Sequence, residues 1–423
     1  MMMSDSEHKI DLIIDNIDLI LIPEPDAGGF GRLRTIEHGT ILCSGDRIVD
    51  IGRHEDLQRE RSLAPDCTTI SGKGRVVSPG FVDAHTHPVF AGTREHEFKM
   101  RAEGKSYQEI AQVGGGIRYS VRQLRTASES ELIDHTIPYL NNFLQHGTTT
   151  IEAKSGYGLS LKDELKILRT IKILNSVHPL DLIATFLGAH EIPDEYRNHR
   201  EKYIDLIIHE MIPVVVEENL AEFCDIFCED HVFTIEEAIK IFGAAKQAGL
   251  KLKIHSEQLG SSAATRVAAE LGVISADHLD YASADSIHQM KIHGVVPVLL
   301  PGAVFFLGLK NYADARNMIE SGLPVALATD FNPGSCMTES MPMIMTIACT
   351  QMKMLPAETW VAATLNSARA IARDGTIGTL QRTCYADIVV WNIKNENYLP
   401  YHFGVNHVDM TIKKGNVVFC NEQ

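Results

Sequence analysis

The rhythm of apolar and polar positions changes twice along this chain. Near the start, IDLIIDNIDLILI is a β-branched, partly alternating run, and GTILCSGDRIVDIG places two strand runs about a Ser-Gly-Asp turn. The far end reads the same way: ADIVVWNI is a strand, and MTIKKGNVVFC is a hairpin about Lys-Lys-Gly-Asn. Between them, short apolar runs alternate with helix-length amphipathic segments. The runs are GFVDAHTH, TTTIEAKSG, LIATFLGAH, CDIFCED, LKIHSE, VISADHL, VVPVLLPG and PVALATD, each followed by a helical pattern such as TIEEAIKIFGAAKQAG.

Strand–helix units repeated in this way predict a parallel (β/α)8 TIM barrel over residues 76–375. The β-rich ends, 1–75 and 376–423, predict one small β-sandwich-like domain built from both termini. A doubly wound open sheet is the rival architecture, but no G-x-G-x-x-G loop follows the first strand. GGGIRYS (Gly114 to Ser120) follows no strand and reads as a flexible loop.

Composition narrows the partners. The chain has 423 residues, 44% hydrophobic and 22% charged, with a formal net charge of -16. Nothing supplies a basic footprint, which disfavours a general nucleic-acid or acidic-membrane partner. An anionic small substrate remains open, because one arginine captures a carboxylate. The first residues, MMMSDSEHKIDLIID, lack a basic segment followed by an apolar core, so no signal peptide is read. No apolar run reaches the roughly 20 residues of a membrane span. The 8 cysteines are scattered without a Cys-x-x-Cys pair, as expected of reduced thiols in a cytoplasmic protein. A homodimer is one expectation for the assembly; the sequence does not fix it.

In such a barrel, chemistry gathers at the C-terminal ends of the strands. His85 and His87 end the first barrel strand, His190 the third, His255 the fifth, His278 the sixth and Asp330 the eighth. Residues i and i+2 of a strand point to the same side, so His85 and His87 project together into the mouth. With His255, His278 and Asp330 at other strand ends they offer a His/His/His/Asp set of nitrogen and oxygen donors suited to Zn²⁺ or Fe²⁺. A lone His-x-His is as readily a surface pair; the company of the other strand ends argues for a metal.

PGFVDAHTH, KIHSE, ADHL and ATDFNPG resemble motifs of the amidohydrolase superfamily, metal-dependent hydrolases on this barrel. FAGTREHEF, KSGYGL, FLGAHEIP, HSEQLG and TDFNPGSC narrow the resemblance to its imidazolonepropionase family. The resemblance spans essentially the whole chain. It implies ring opening of 4-imidazolone-5-propanoate to N-formimidoyl-L-glutamate, in histidine degradation, by a metal-activated hydroxide. Two-metal relatives use a carboxylated lysine on the fourth strand. CDIFCED has no lysine and Lys154 lies on the second strand, so one metal is expected, on His85, His87, His255 and Asp330.

The remaining roles follow from the same resemblance. Asp330 doubles as proton acceptor and donor, and His278 polarises the ring carbonyl. Arg94, Tyr157 and His190 bind substrate, with Arg94 offering a planar fork to the propanoate and His190 a hydrogen-bond donor. Taken alone, Arg94 could instead pair with Glu95 or Glu97 on the surface. Asn332, Gly334 and Ser335 resemble further contacts to substrate or product through a turn's N–H groups. Gln258 stands where related deaminases, and some imidazolonepropionases, carry Glu. An amide orients a ring but cannot shuttle a proton, so Gln258 is assigned to binding; Glu257 is the alternative if the strand ends early. The rival functions are a deaminase of a cytosine- or guanine-like ring and a catalytically silent barrel.

Overall fold

The computed structural model describes residues 9–57, 62–105, 109–110 and 113–421. Residues 1–8, in the stretch where no leader was read, lie outside the described residues, as do 422–423.

The chain opens with β1 (Ile10–Glu24), β2 (Arg32–Ser44), β3 (Arg47–Arg53), β4 (Leu63–Ser71) and β5 (Val76–Pro79). The barrel strands follow: β6 (Phe81–Thr86), β7 (Thr148–Lys154), β8 (Asp181–Ala189), β9 (Phe223–Cys228), β10 (Lys251–Ser256), β11 (Ser275–His278), β12 (Val296–Leu299) and β13 (Ala326–Leu327). The chain returns through β14 (Ile388–Trp391), β15 (Val408–Lys413) and β16 (Asn416–Cys420).

β6 to β13 pair in sequence order as one parallel sheet, each strand matching one apolar run. Burial on both faces explains why these runs are nearly continuous in apolar residues. The sheet closes between β13 and β6. Asp330 N–H donates to His85 O at 3.1 Å and His87 N–H to Phe331 O at 2.8 Å. The buried Asp83 carboxylate accepts from Thr329 Oγ1 at 2.6 Å and Thr329 N at 3.1 Å. Closure therefore sets the histidines of the first barrel strand beside the aspartate after the last. The helix predicted after CDIFCED runs Ile235–Gln247, with a capping box between Thr234 and Glu237.

The terminal strands make one mixed sheet in the order β16-β15-β14-β5-β1-β2-β3, with β4 also on β1. β1 is long enough to pair with β4 in its first half and β5 in its second, with an irregularity at Ile14/Ile17. The sheet encloses its own core of Ile14, Ile20, Ile41, Ile388 and Ile412. Val76–Pro79 fall in the segment assigned by sequence to the barrel, yet they pair with β1 and β14. The chain crosses into the barrel at Gly80. There Phe81, Trp360 and Trp391 pack with ring centroids 5.3–5.6 Å apart and join sheet to barrel.

GGGIRYS is not the loop its glycines suggested. Gly116 caps a helix over Ile117–Thr126 that already includes Ile117 to Ser120. Val121 and Leu124 on that helix are buried, and this packing overrides the local glycine signal. All eight cysteines are free. No helix among the described residues is long and apolar enough to cross a membrane.

Candidate metal and substrate site

His85, His87 and His255 converge at the C-terminal mouth of the barrel, each offering a nitrogen within 4.8 Å of the others. Asp330 Oδ1 lies 3.6 Å from His85 Nε2. The His85 and His255 rings stand 4.4 Å apart, and His278 stands 5.5 and 5.4 Å from them. All of these side chains are buried. Burial, then the neighbouring Lys154 and histidines, pushes the His85 imidazole well below its ordinary pKa. Burial does the same to His87 and His278. Neutral imidazoles are the form that ligates a metal.

The residues present fit a divalent ion on an independent observation. His85 Nε2, His87 Nδ1 and both His255 nitrogens are buried with no hydrogen-bond partner among the described residues. Buried polar atoms are normally satisfied, and here three histidines with unsatisfied nitrogens bring one ligand atom each within 4.8 Å of the others. A carboxylate stands at the opposite edge of two of these rings: His85 Nδ1 is hydrogen-bonded to Asp277 Oδ2 at 2.7 Å, and His255 Nδ1 lies 3.0 Å from Asp225 Oδ2 without hydrogen-bond geometry. Such partners fix the tautomer and aim the other nitrogen at the ion.

Backbone strain gathers at the same rim. Glu257, His278, Leu279 and Asp330 adopt left-handed conformations with φ of 53°, 79°, 65° and 56°. Non-glycine residues hold such angles only where their surroundings impose them. At Glu257 this turns the carboxylate away to Ser286 Oγ at 3.0 Å and Ser262 N at 3.4 Å. Glu257 is thereby engaged among the helices outside the barrel. Gln258 is half-buried, and its main-chain N–H donates to Glu229 at 2.6 Å.

Burial pushes the Asp330 carboxyl up to about 7, against the pull of His255, Ser335 and Asn332. Ser335 Oγ donates to Asp330 Oδ2 at 3.1 Å, and Asn332 Nδ2 donates to the Asp330 carbonyl at 2.6 Å. The N–H groups of Gly334 and Ser335 both donate to Asn332 Oδ1 at 2.8 Å. The sequence reading offered these groups to a ligand. Here they are spent within the turn, because the Asn332 side chain reaches back two and three residues, as asparagine does in turns. The loop as placed holds Asp330.

Arg94 does pair with Glu97, through Nε at 3.0 Å and Nη2 at 2.7 Å, but the pair is largely buried rather than on the surface. Glu97 also accepts Gly116 N–H at 2.8 Å. Tyr157 is buried, its ring 5.8 Å from His87 and 5.6 Å from His190. Burial raises its phenol pKa, with nearby Arg94 opposing, so it remains a hydroxyl donor. The loop carrying it is held by Glu164, which accepts Gly156, Gly158 and Leu159 N–H at 2.7–3.0 Å. Gly156, at φ 111°, must be glycine for a second reason: a Cβ there would lie 2.7 Å from His190 Nδ1.

His190 stacks on His87 at 5.0 Å, and its Nδ1 lies 3.0 Å from Gly156 O. Burial lowers its pKa to about 3. The neutral ring must donate Nδ1–H to that carbonyl, leaving Nε2 an acceptor. The expected donor is therefore an acceptor, suited to a ring N–H of a ligand.

The sequence reading missed Asp225, Asp277, Glu152 and Lys253, and it considered Lys154 only as a metal bridge. Their signal was a charged residue inside an apolar barrel strand, which in a closed interior requires a partner. Cys228 and Cys336 are buried, which raises both thiols, Cys228 to about 12. Thiolate chemistry has no support there.

The family model for the amidohydrolase family matches residues 76–418. The imidazolonepropionase of Alkaliphilus metalliredigens is 45% identical over 387 residues, covering 92% of this chain and 92% of the relative. That of Solibacter usitatus is 48% identical over 398 residues, covering 94% and 95%. An adenosine deaminase from Xanthomonas campestris with bound zinc superposes with a TM-score of 0.72 at 18% identity, over 97% of this chain and 93% of that one. The guanine deaminase of E. coli gives 0.73 at 14%, over 98% and 100%. At these identities the deaminases speak for the fold. The chain belongs to the amidohydrolase family and, within it, to the imidazolonepropionases.

Proposed function

We propose that this protein opens the ring of 4-imidazolone-5-propanoate by hydrolysis, giving N-formimidoyl-L-glutamate in histidine degradation. One divalent ion, Zn²⁺ or Fe²⁺, would be held by His85, His87, His255 and Asp330. The observation that carries the substrate is Arg94, a guanidinium beside Tyr157 and against the loop of Asp330. A neutral cytosine- or guanine-like ring has no use for that charge, and a propanoate arm does. The relatives named imidazolonepropionase support the same choice.

A divalent ion held by this set would lower the pKa of a water toward ~7. The remaining work belongs to side chains. Arg94 holds the propanoate, and Tyr157 and His190 Nε2 orient the ring. His278 donates to the carbonyl oxygen as charge develops there. Water adds to the carbonyl carbon and Asp330 takes its proton. The carbon–nitrogen bond then breaks, and Asp330 returns the proton to the departing nitrogen. Asp330 is placed for both transfers by the turn that holds it, through Ser335 Oγ on its Oδ2 and Asn332 Nδ2 on its carbonyl. Gln258 serves binding, since an amide carries no proton in this exchange.

The test is to mix the metal-loaded protein with 4-imidazolone-5-propanoate and follow the imidazolone ultraviolet absorbance. Loss of absorbance with formimidoyl-glutamate as product is expected. A folded, metal-bound protein that leaves the compound intact rejects the substrate, and ammonia release from cytosine or guanine then tests the deaminase reading.

A further inference from the structure

The metal ligands rest on a buried layer of charge. Lys154 Nζ lies 2.6 Å from Asp225 Oδ2, 2.9 Å from Glu152 Oε1 and 3.3 Å from Asp277 Oδ2. All four residues have no exposed surface. The ammonium's three N–H donors thus have three carboxylate acceptors. Lys253, the other lysine of this layer, is committed to Glu152 Oε2 at 2.5 Å and Ala84 O at 3.3 Å. Lys154 is therefore the cation that serves Asp225 and Asp277. Those carboxylates in turn orient His255 and His85, through the oxygens that also touch Lys154.

A cation at the position of Lys154 Nζ therefore meets three buried carboxylates, Asp225, Glu152 and Asp277, at 2.6–3.3 Å. Carboxylate oxygens are donors that Zn²⁺ accepts. Neighbouring carboxylates in a dry interior need a cation to stay ionised together. We propose that Lys154 is a built-in cation: its ammonium takes the place a second divalent ion would hold among Asp225, Asp277 and Glu152, and so limits the barrel to one metal. This inference rests on the reading that His85, His87, His255 and Asp330 hold the first ion. It goes beyond the lack of a lysine on β9, because it assigns the count of one to a residue that is present.

Lys154→Met keeps the length of the stem and removes the charge. Metal-free protein would be incubated with excess Zn²⁺, passed through gel filtration, and its zinc per chain measured by elemental analysis. One ion is expected in the parent and two in Lys154→Met. Adding Asp277→Asn to that variant takes a carboxylate from the cage and is expected to return the count to one. A folded Lys154→Met holding one ion overturns the role of Lys154, and so does a parent that holds two. A parent that holds none instead removes the first-site reading on which the inference rests. If Lys154→Met is unfolded without metal, excess Zn²⁺ must restore the parent's circular dichroism by supplying the missing charge; failure to restore it overturns the proposal.

Discussion

Arg94 and Gly334 pack so closely that a Cβ on Gly334 would stand 2.1 Å from Arg94 Nη1. Glycine at 334 therefore leaves the space in which the guanidinium lies. Gly334→Ala should displace the fork and cost its bond to the propanoate. A charge-assisted hydrogen bond contributes about 1.5–3 kcal/mol, so KM should rise by about 10- to 150-fold, with kcat less affected. Steady-state kinetics on 4-imidazolone-5-propanoate decide this, and an unchanged KM would show that Arg94 does not hold the substrate.

Glu97 aims that fork from behind, binding Nε and Nη2 and pinning Gly116 N–H. Arg94 and neighbouring bonds hold the Glu97 carboxyl below its ordinary pKa against the effect of burial. It is thus an anchor that stays ionised through neutral pH. Glu97→Gln keeps the shape but weakens the grip, and should raise KM about tenfold, one charge-assisted bond's worth. The same variant should leave the affinity for Zn²⁺ unaltered in a chelator titration. Loss of metal together with substrate affinity would mean that Glu97 supports the whole mouth rather than Arg94.

The barrel was legible because each strand is a short apolar run, and the cluster of His85, His87 and His255 because histidines interrupt those runs at one end. Even β13, two residues long, announced itself through PVALATD. The charged layer was not legible in the same way. Lys154, Asp225 and Asp277 lie on β7, β9 and β11, and no spacing along the chain pairs them. Only closure of the barrel brings these strands' inward side chains together. The capture of Gly334 and Ser335 N–H by Asn332 was likewise hidden. A Pro-Gly turn shows that donors exist, not which neighbour takes them. Tautomers are a third kind of hidden fact, since His190 becomes an acceptor only through the carbonyl of Gly156, thirty-four residues earlier in the chain.

Asp277 tests the support beneath the ligands. It accepts from Ser275 Oγ at 2.7 Å and holds His85 Nδ1 at the same distance. Asp277→Asn retains the shape and removes the charge that fixes the ring. Losing such a partner typically lowers metal affinity about 10–100-fold. Competition with a chromophoric chelator measures this, and parent-like affinity would reject the orienting role of Asp277.

Asp330 carries a stability cost that should be visible once metal is removed. Its carboxyl titrates near 7 in the folded protein against 3.8 ordinarily, because burial penalises the charge. Between those values the folded state binds a proton that the unfolded chain has released. Stability must then fall as pH rises through that window, by roughly 4 kcal/mol in full. Asp330→Asn carries no charge to bury. In metal-free protein its melting temperature should exceed that of the parent at pH 8, and the gap should close toward pH 4. The same variant should lose metal affinity and turnover, so that stability and activity move in opposite directions. Thermal melts across pH decide the matter: if metal-free Asp330→Asn is no more stable than the parent at pH 8, the burial of this charge is not what raises its pKa.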